Sequence, residues 1–219
     1  MGAFDFKSVV AALPLLWEGM QVTLLLTAYG VIGGVALGIV LAVMRQSRYL
    51  VVRAVAATYV DLFRSLPLVL LIFWFYFLLP IILGHPGGGF ASAVIGFILF
   101  EAAYFCEIIR SGIQSVRRGQ SFAGLATGLT GAQCMRLIIL PQAVRNMQPL
   151  MLLQCINLFK STSLVYVIGL RDFLTAADLI GSRDNRLIEM YVVVAVVFFV
   201  ICWTLSQAAD LMARKRGAA

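Results

Sequence analysis

The stretch "MQVTLLLTAYGVIGGVALGIVLAVM", residues 20–44, contains no Asp, Glu, Lys, Arg or His. It is longer than the roughly 20 apolar residues that a helix needs to cross the hydrocarbon core of a bilayer. The rest of the chain is similarly apolar, because 62% of its residues are hydrophobic, 12% are charged and the mean hydropathy is +0.97. These values exclude an ordinary soluble domain and predict an all-α membrane protein.

Four further segments are apolar enough to be spans. We expect the whole chain, 1–219, to form one polytopic domain whose five transmembrane helices lie at about 20–44, 54–83, 91–109, 142–168 and 190–210. "GHPGGG" (84–89) separates the second from the third, since this composition is typical of a turn. Pro141 and Pro149 should bend or start the fourth helix because proline lacks an N–H. No basic cluster precedes the first span, so we expect it to be retained and not cleaved as a signal.

The distribution of Lys and Arg predicts an orientation. Most of the 17 basic residues fall in two connections and the C-terminal tail: Arg45, Arg48, Arg53; Arg110, Arg117, Arg118, Arg136, Arg145; Arg214, Lys215, Arg216. The positive-inside rule then predicts an external N-terminus and a cytosolic C-terminus. The net charge of +7 reflects topology and contact with membrane lipid, and we expect no nucleic-acid partner.

Several chemistries lack their sequence patterns. No GxxxxGK[ST] segment is present, so nucleotide chemistry would need another chain. No GxSxG segment or histidine cluster appears, and four cysteines without CxxC spacing are most simply packing thiols. We therefore expect no catalytic residues, no metal and no cofactor. A passive channel remains an alternative, since five spans with internal charges could line a pore.

Six charged residues fall inside or beside the predicted spans, where charge is costly and is a functional candidate by default: Asp61, Arg64, Glu101, Glu107, Arg110 and Lys160. Two pairs three residues apart, Asp61 with Arg64 and Glu107 with Arg110, share a helix face and can neutralise each other. Arg64 differs because Pro67 should interrupt the helix in mid-span, where irregular backbone is tolerated only along buried or wet surfaces. Lys160 has no acidic residue within a helical turn.

The connection "RRGQSFAGLATGLTGAQCMRLIILP" (117–141) is rich in small residues, which allow close approach to a partner. It resembles the EAA loop of ABC-importer permeases, which reads EAA, three residues, G, nine residues, I, one residue, LP. Two positions depart from the pattern, because Phe122 replaces the acidic residue and Gly124 replaces the second alanine. Gly128 lies at the turn, where close backbone approach or a positive φ is expected. The matching positions, with both spacings intact, are Ala123, Gly128, Ile138, Leu140 and Pro141.

The resemblance extends over most of the chain, through "FRSLPLVLLIFWFYFLLP" (63–80), "FEAAYFCEIIRSGIQSVRRGQS" (100–121) and "LFKSTSLVYVIGLRDF" (158–173). These segments are similar to the polar amino acid permeases of binding-protein-dependent ABC importers, and within that group most like glutamate/aspartate permeases. Short motifs shared across the group do not separate acidic from basic cargo, so a basic amino acid or glutamine is the alternative.

The resemblance implies a type I ABC-importer permease in the bacterial inner (cytoplasmic) membrane. Its implied partners are a cytosolic ATP-binding subunit, an extracytoplasmic substrate-binding protein and a second permease subunit, identical or related. The loop is expected to form a cytosolic coupling helix that contacts the ATPase through Gly119, Phe122, Ala123, Gly124, Gly128, Ile138, Leu140 and Pro141. Without the acidic residue at Phe122, apolar contact must replace a family ion pair.

Lys160, Ser161, Thr162 and Ser163 form a polar run in an apolar segment and allow two interpretations. The Lys160 stem could snorkel toward the membrane interface. Alternatively, the four residues line the pathway and replace the water that a zwitterion sheds. Two cations at depth, Arg64 and Lys160, favour an acidic amino acid, whereas acidic residues there could hold an amino group. The predicted substrate pathway comprises Asp61, Arg64, Glu101, Arg110, Lys160, Ser161, Thr162 and Ser163.

Overall fold

The computed structural model describes residues 6–84 and 88–217, so part of the predicted turn at 84–89 lies outside the described residues. Within the described ranges every regular element is helical. The elements are α1 (Phe6–Arg45), α2 (Leu50–Ser65), α3 (Leu68–Leu83), α4 (Gly89–Gln114), α5 (Arg118–Ala126), α6 (Gly131–Cys134), a π-helical segment (Met135–Ile139), α7 (Leu140–Ser161), a 3₁₀ segment (Thr162–Ile168), α8 (Phe173–Arg183) and α9 (Leu187–Gly217). The predicted all-α class is confirmed.

Four stretches of the described chain are long and apolar enough to cross a membrane, and they correspond to α1, α4, the run from α6 to the 3₁₀ segment, and α9. The helices α2 and α3 are together long and apolar enough to form a fifth candidate, although a bend of 105° separates them. The fold therefore has the apolar helices of a polytopic membrane protein. The second predicted span is thus broken into two separate α-helices.

The helix bounds differ from the predicted spans in places that have local causes. α1 begins at Phe6, well before residue 20, and continues through Pro14. α7 has Pro141 in its first turn, where the missing N–H is tolerated, and it continues through Pro149. Neighbouring helices can satisfy the backbone group that such a proline frees.

The long contact between α1 and α4 depends on glycines of α1. A Cβ on Gly38 would lie 3.0 Å from the backbone nitrogen of Cys106 and 3.1 Å from the carbonyl oxygen of Ala102. One turn earlier, a Cβ on Gly34 would lie 2.8 Å from the Cβ of Glu101. Small residues spaced four apart let two membrane helices approach closely, so this side of α1 fixes the separation of the two helices.

The short helix α8 was not predicted from sequence, and a buried acidic cap begins it. The Asp172 carboxylate accepts hydrogen bonds from the backbone N–H of Thr175 at 2.9 Å and of Leu174 at 3.3 Å. The Thr23 hydroxyl of α1 accepts a further bond from the Phe173 N–H at 3.1 Å. Burial raises the pKa of Asp172, and the hydrogen bonds from Thr175 and Leu174 oppose that shift. These contacts attach α8 to α1.

The π-helical segment lies immediately before Pro141. Its last turn closes with a hydrogen bond from the Leu140 N–H to the Met135 carbonyl, five residues back. In a regular α-helix a proline ring clashes with the carbonyl four residues earlier and leaves it unbonded. A wider turn at this point accommodates Pro141 and joins the loop helices to α7.

Candidate functional site

The break between α2 and α3 exposes polar groups in the interior of a predicted span. α2 ends at Ser65, Leu66 and Pro67 have extended backbone, and α3 begins at Leu68. Arg64 lies in the last turn of α2 with its side chain exposed. Irregular backbone and charge at membrane depth are tolerated only against protein or water. This face of the chain therefore requires a polar partner or an aqueous path.

Asp61 could have neutralised Arg64 by its spacing, but this pair is not formed within the described residues. Within the described residues Arg64 forms no ion pair, and its guanidinium lies over the ring of Tyr104 on α4, 5.5 Å from the ring centroid. The side chain extends across to α4 and does not fold back along α2. Asp61 is exposed on the same helix. Arg64 thus keeps its charge available.

The other predicted pair, Glu107 with Arg110, is present and belongs to a larger network. Arg110 Nε donates to Glu107 at 3.0 Å, and Arg45 Nη1 of α1 donates to the same carboxylate at 2.8 Å. A second Arg110 nitrogen donates to Gln114 at 2.8 Å. This network connects α1 to α4, so Arg110 is neutralised where Arg64 is not.

Glu101 is nearly inaccessible, with 1% of its surface exposed. Its carboxylate accepts a hydrogen bond of 2.9 Å from Gln154 Nε2 on α7. A buried carboxylate requires such a partner because its desolvation is costly. Gln154 was not among the predicted residues, although a polar amide at membrane depth was a usable signal. The pair joins α4 to α7.

Lys160 lies at the end of α7 and faces α9. It is exposed and, within the described residues, forms no ion pair. Its neighbours line a groove of about 380 Å³ and are mostly aromatic: Phe198, Phe199, Cys202, Trp203 and Ser206. Lys160 therefore lies on a different helix pair from Arg64.

The three hydroxyls after Lys160 are bonded to the backbone. Ser161 donates to the Asn157 carbonyl at 2.9 Å, Thr162 to Phe159 at 2.7 Å and Ser163 to Lys160 at 2.8 Å. Thr162 is fully buried. These bonds stabilise the change from α7 to the 3₁₀ segment, and they leave the oxygens as acceptors only. Toward a cargo molecule, Ser161 and Ser163 can accept from an ammonium group.

One side of α7 carries exposed residues at helical spacing: Asn146, Leu150, Leu153, Asn157 and Lys160. Steps of three and four residues place all five along one stripe. Asn146 is bonded to Ser115 at 2.8 Å. Exposed amide and ammonium groups in a spanning helix do not face lipid without cost. The α7 stripe therefore fits contact with another protein or with water.

The loop at 117–141 folds into two helices joined at Gly128, which has a φ of +88°. The Gly128 N–H donates to Leu125 at 3.0 Å and the Leu129 N–H to Gly124 at 3.2 Å, which is the Schellman arrangement. Thr130 and Gln133 then form a capping box that starts α6. The expected positive φ at Gly128 is confirmed, and its physical reason is the end of α5.

Gly124 replaces the second alanine of the EAA pattern, and this difference has a steric explanation. A Cβ there would lie 2.6 Å from the Ile138 side chain and 2.9 Å from the Cys134 sulfur. The absent methyl group lets α5 pack directly on the π-helical segment. A Cβ on Gly119, by contrast, would have no neighbouring atom within 4 Å, so that position faces open space.

Phe122 is the most exposed large hydrophobic residue of α5, with 68% of its surface accessible, and Leu125 follows with 47%. Ala123 is also exposed. On the α7 side of the loop Ile138 is half-buried, while Leu140 and Pro141 are exposed. An apolar patch on an otherwise basic loop is typical of a protein contact.

Comparison with known proteins places this geometry among membrane transporters. Residues 34–217 match the family described as binding-protein-dependent transport system inner membrane component. The chain is 46% identical to the glutamate/aspartate import permease protein GltK of Escherichia coli O6:H1, over 98% of this chain and 99% of the relative. It is 33% identical to the arginine transport system permease protein ArtQ of Bacillus subtilis, over 96% of each.

Solved structures show the same architecture. A crystal structure of an amino acid ABC transporter with histidines matches with a TM-score of 0.91 and 34% identity, over 98% of this chain and 100% of that chain. An inward-facing MetNI methionine ABC transporter matches with a TM-score of 0.70 at 19% identity, over 96% of this chain and 98% of that chain, which supports the fold alone.

Proposed function

This chain belongs to the family of binding-protein-dependent transport system inner membrane components, and we propose that it moves glutamate or aspartate inward across the bacterial inner membrane. It is a permease subunit of an amino acid ABC importer and is not itself an enzyme. ATP hydrolysis takes place on a partner subunit. The observation that carries the acidic cargo is the near full-length 46% identity to a glutamate/aspartate permease.

The charges at membrane depth support an anionic cargo. Arg64 and Lys160 are exposed and form no ion pair within residues 6–84 and 88–217. A glutamate molecule has two carboxylates and one ammonium, so it needs more donors than acceptors. Two unpaired cations fit that need better than they fit a basic amino acid.

The proposed pathway keeps the predicted residues and divides them by role. Arg64 and Lys160 are proposed to bind carboxylates, while Asp61 and the oxygens of Ser161 and Ser163 accept from the cargo ammonium. Glu101, Thr162 and Arg110 are buried or neutralised, so we assign them the support of this surface. Gln154 joins that supporting group through its bond to Glu101.

Three protein partners are proposed for three surfaces. The exposed apolar patch on α5, centred on Phe122, contacts the ATPase. The α7 stripe, with its amides and Lys160, contacts the second permease subunit or the path between the two. The segment around α8 faces the binding protein. Purification from the native membrane tests this assembly, because it should recover an ATPase and a second permease; recovery of neither would contradict it.

Orientation is a separate proposal and has its own test. With the N-terminus outside, the α5 loop is cytosolic and α8 is extracytoplasmic. A reporter fused after Arg118 should therefore read cytosolic, and one fused after Arg183 should read extracytoplasmic. Protease protection of the same fusions in right-side-out vesicles gives an independent measurement. The reverse pattern would contradict the proposed orientation.

Lys160 gives a test of the cargo surface. Lys160→Gln should remove a charge-assisted hydrogen bond of about 1.5–3 kcal/mol, which corresponds to about a ten- to hundredfold loss when it appears entirely in affinity. The measurement is uptake at saturating cargo-loaded binding protein, with glutamate, glutamine and arginine each supplied. Because Arg64 is proposed to take the side-chain carboxylate, Lys160 is left the α-carboxylate, which all three amino acids have, so the loss should be similar for all three.

Lys160→Arg is the matched control, since it keeps the charge, and its uptake should stay near the parent value. Normal membrane abundance of both variants excludes misfolding. Unchanged uptake in Lys160→Gln would support the snorkelling interpretation and leave Arg64 as the remaining carboxylate group.

A further inference from the structure

We propose that Tyr104 is a positioning residue, which with Phe100 behind it holds the Arg64 guanidinium ready for the side-chain carboxylate of the cargo. The inference rests on the proposed function, because it takes glutamate or aspartate as the cargo. Tyr104 does not contact the cargo in this proposal. It acts through Arg64.

The geometry is that of a cation held against an aromatic face. The Arg64 Cζ atom lies 5.5 Å from the Tyr104 ring centroid, inside the distance of about 6 Å at which the interaction is favourable. The Phe100 ring lies one turn earlier on α4, with its centroid 4.9 Å from that of Tyr104 and a tilt of 41°. Phe100 therefore limits the rotation of the ring that supports the guanidinium.

The helix that carries Arg64 is fixed to α4 by a second contact. The Tyr59 hydroxyl donates to the Leu99 carbonyl at 2.8 Å, next to Phe100. Tyr59 also stacks on Phe63, at 4.4 Å between centroids. Arg64 follows Phe63 directly, and α2 ends one residue later at Ser65. Both the backbone and the guanidinium of Arg64 are thus located relative to α4.

The contact of the Arg64 guanidinium with the Tyr104 ring leaves the N–H groups at the edge of the guanidinium without a carboxylate partner. Recognition of a carboxylate uses these N–H groups. An ion pair with Asp61 would have occupied that edge, and none is formed within the described residues. Glu107 occupies the edge of Arg110 in this way. Arg64 therefore keeps edge donors available to cargo, whereas Arg110 does not.

The ring, and not the phenol hydroxyl, carries this role. The Tyr104 ring contacts Arg64 on one helix and Phe100 on its own helix. Phenylalanine keeps the ring face, whereas leucine removes it. The two substitutions at Tyr104 therefore separate the proposed role from simple filling of space.

The test uses the purified complex of permeases and ATPase in lipid nanodiscs, without binding protein. Displacement of radiolabelled glutamate by unlabelled glutamate, aspartate, glutamine and arginine gives the affinities. Arg64→Gln should weaken the binding of glutamate about ten- to hundredfold and change the affinity for glutamine little. Tyr104→Leu should weaken the binding of glutamate about two- to thirtyfold, again with little change in the affinity for glutamine. Tyr104→Phe should stay within about twofold of the parent.

A double-mutant cycle identifies the route of the effect. If Tyr104 acts through Arg64, Tyr104→Leu should cause no further loss in the Arg64→Gln background. Three results would each overturn the inference. Tyr104→Leu could reduce the affinities for glutamate and glutamine equally, or it could leave the affinity for glutamate unchanged. It could also reduce the affinity for glutamate as much in the Arg64→Gln background as in the parent. A parent complex that binds arginine in preference to glutamate would instead overturn the proposed cargo, and the inference with it.

Discussion

Uptake is expected to stop when Phe122 is replaced by glutamate, although glutamate is the residue that the EAA pattern has at this position. Phe122 is 68% exposed in the middle of α5, and burying such a side chain in a partner contributes about 1.5–3 kcal/mol. A carboxylate placed in a cleft that is complementary to an aromatic ring loses this contribution and adds a desolvation cost. In the same variant, the rate of ATP hydrolysis stimulated by cargo-loaded binding protein should fall about ten- to hundredfold.

Two controls distinguish loss of docking from loss of folding. Phe122→Leu keeps an apolar side chain and should retain most of the stimulated hydrolysis. Gln120→Asp adds a negative charge at another exposed position of α5 and should have little effect. Pull-down of the ATPase by each detergent-solubilised variant gives the direct comparison. Full coupling in Phe122→Glu would show that the ATPase accepts the usual acidic residue, and the apolar docking proposed for this loop would be wrong.

The second large effect is expected at Gly38, where the change acts on folding. A Cβ at this position lies within 3.0 Å of the Cys106 backbone nitrogen and 3.1 Å of the Ala102 carbonyl oxygen. Backbone atoms cannot rotate away as a side chain can, so Gly38→Leu must separate α1 from α4. Overpacking of a tight contact costs about 1–3 kcal/mol or more, and we expect a large loss of monodisperse protein on size exclusion in detergent.

Ala36→Leu is the matched control, since Ala36 lies on the exposed side of α1 only two residues away. It adds side-chain volume to the same helix and should leave thermal stability and yield near the parent values. Gly38→Ala should give an intermediate loss. If Gly38→Leu behaves like Ala36→Leu, the close contact between α1 and α4 is not required for stability.

The main features of the fold were predictable because they depend on composition and on short backbone rules. An apolar stretch such as 20–44 needs a bilayer, Pro67 interrupts a helix, and Gly128 supplies a positive φ after α5. The helix α8 was harder to predict from the sequence, because its start is fixed by the hydrogen bond from Phe173 to Thr23, 150 positions away in the chain. Contacts between distant segments leave no local pattern in one sequence.

The site residues were found by charge, but their partners were not. The spacing of three residues is the same in both predicted pairs, yet Glu107 binds Arg110 while Arg64 turns to Tyr104. The partner of Arg64 depends on which residue of α4 lies next to the end of α2, and here that residue is Tyr104. The spacing of residues on one helix does not specify this. Gln154 shows the same limit, since its role follows from Glu101 on another helix.

The π-helical segment at 135–139 has a consequence for the evolution of the loop. Its wider turn contains one residue more than an α-helical turn would hold there. Deleting a single residue from it would restore regular geometry, because a π-helical turn takes up one extra residue within nearly the same rotation as an α-helical turn. The α7 stripe and α5 would then keep nearly their present relative direction, whereas one residue inserted or deleted in a regular α-helix rotates the two sides by about 100° relative to each other. A relative that lacks one residue here and has a regular helix should therefore orient the two surfaces as this chain does.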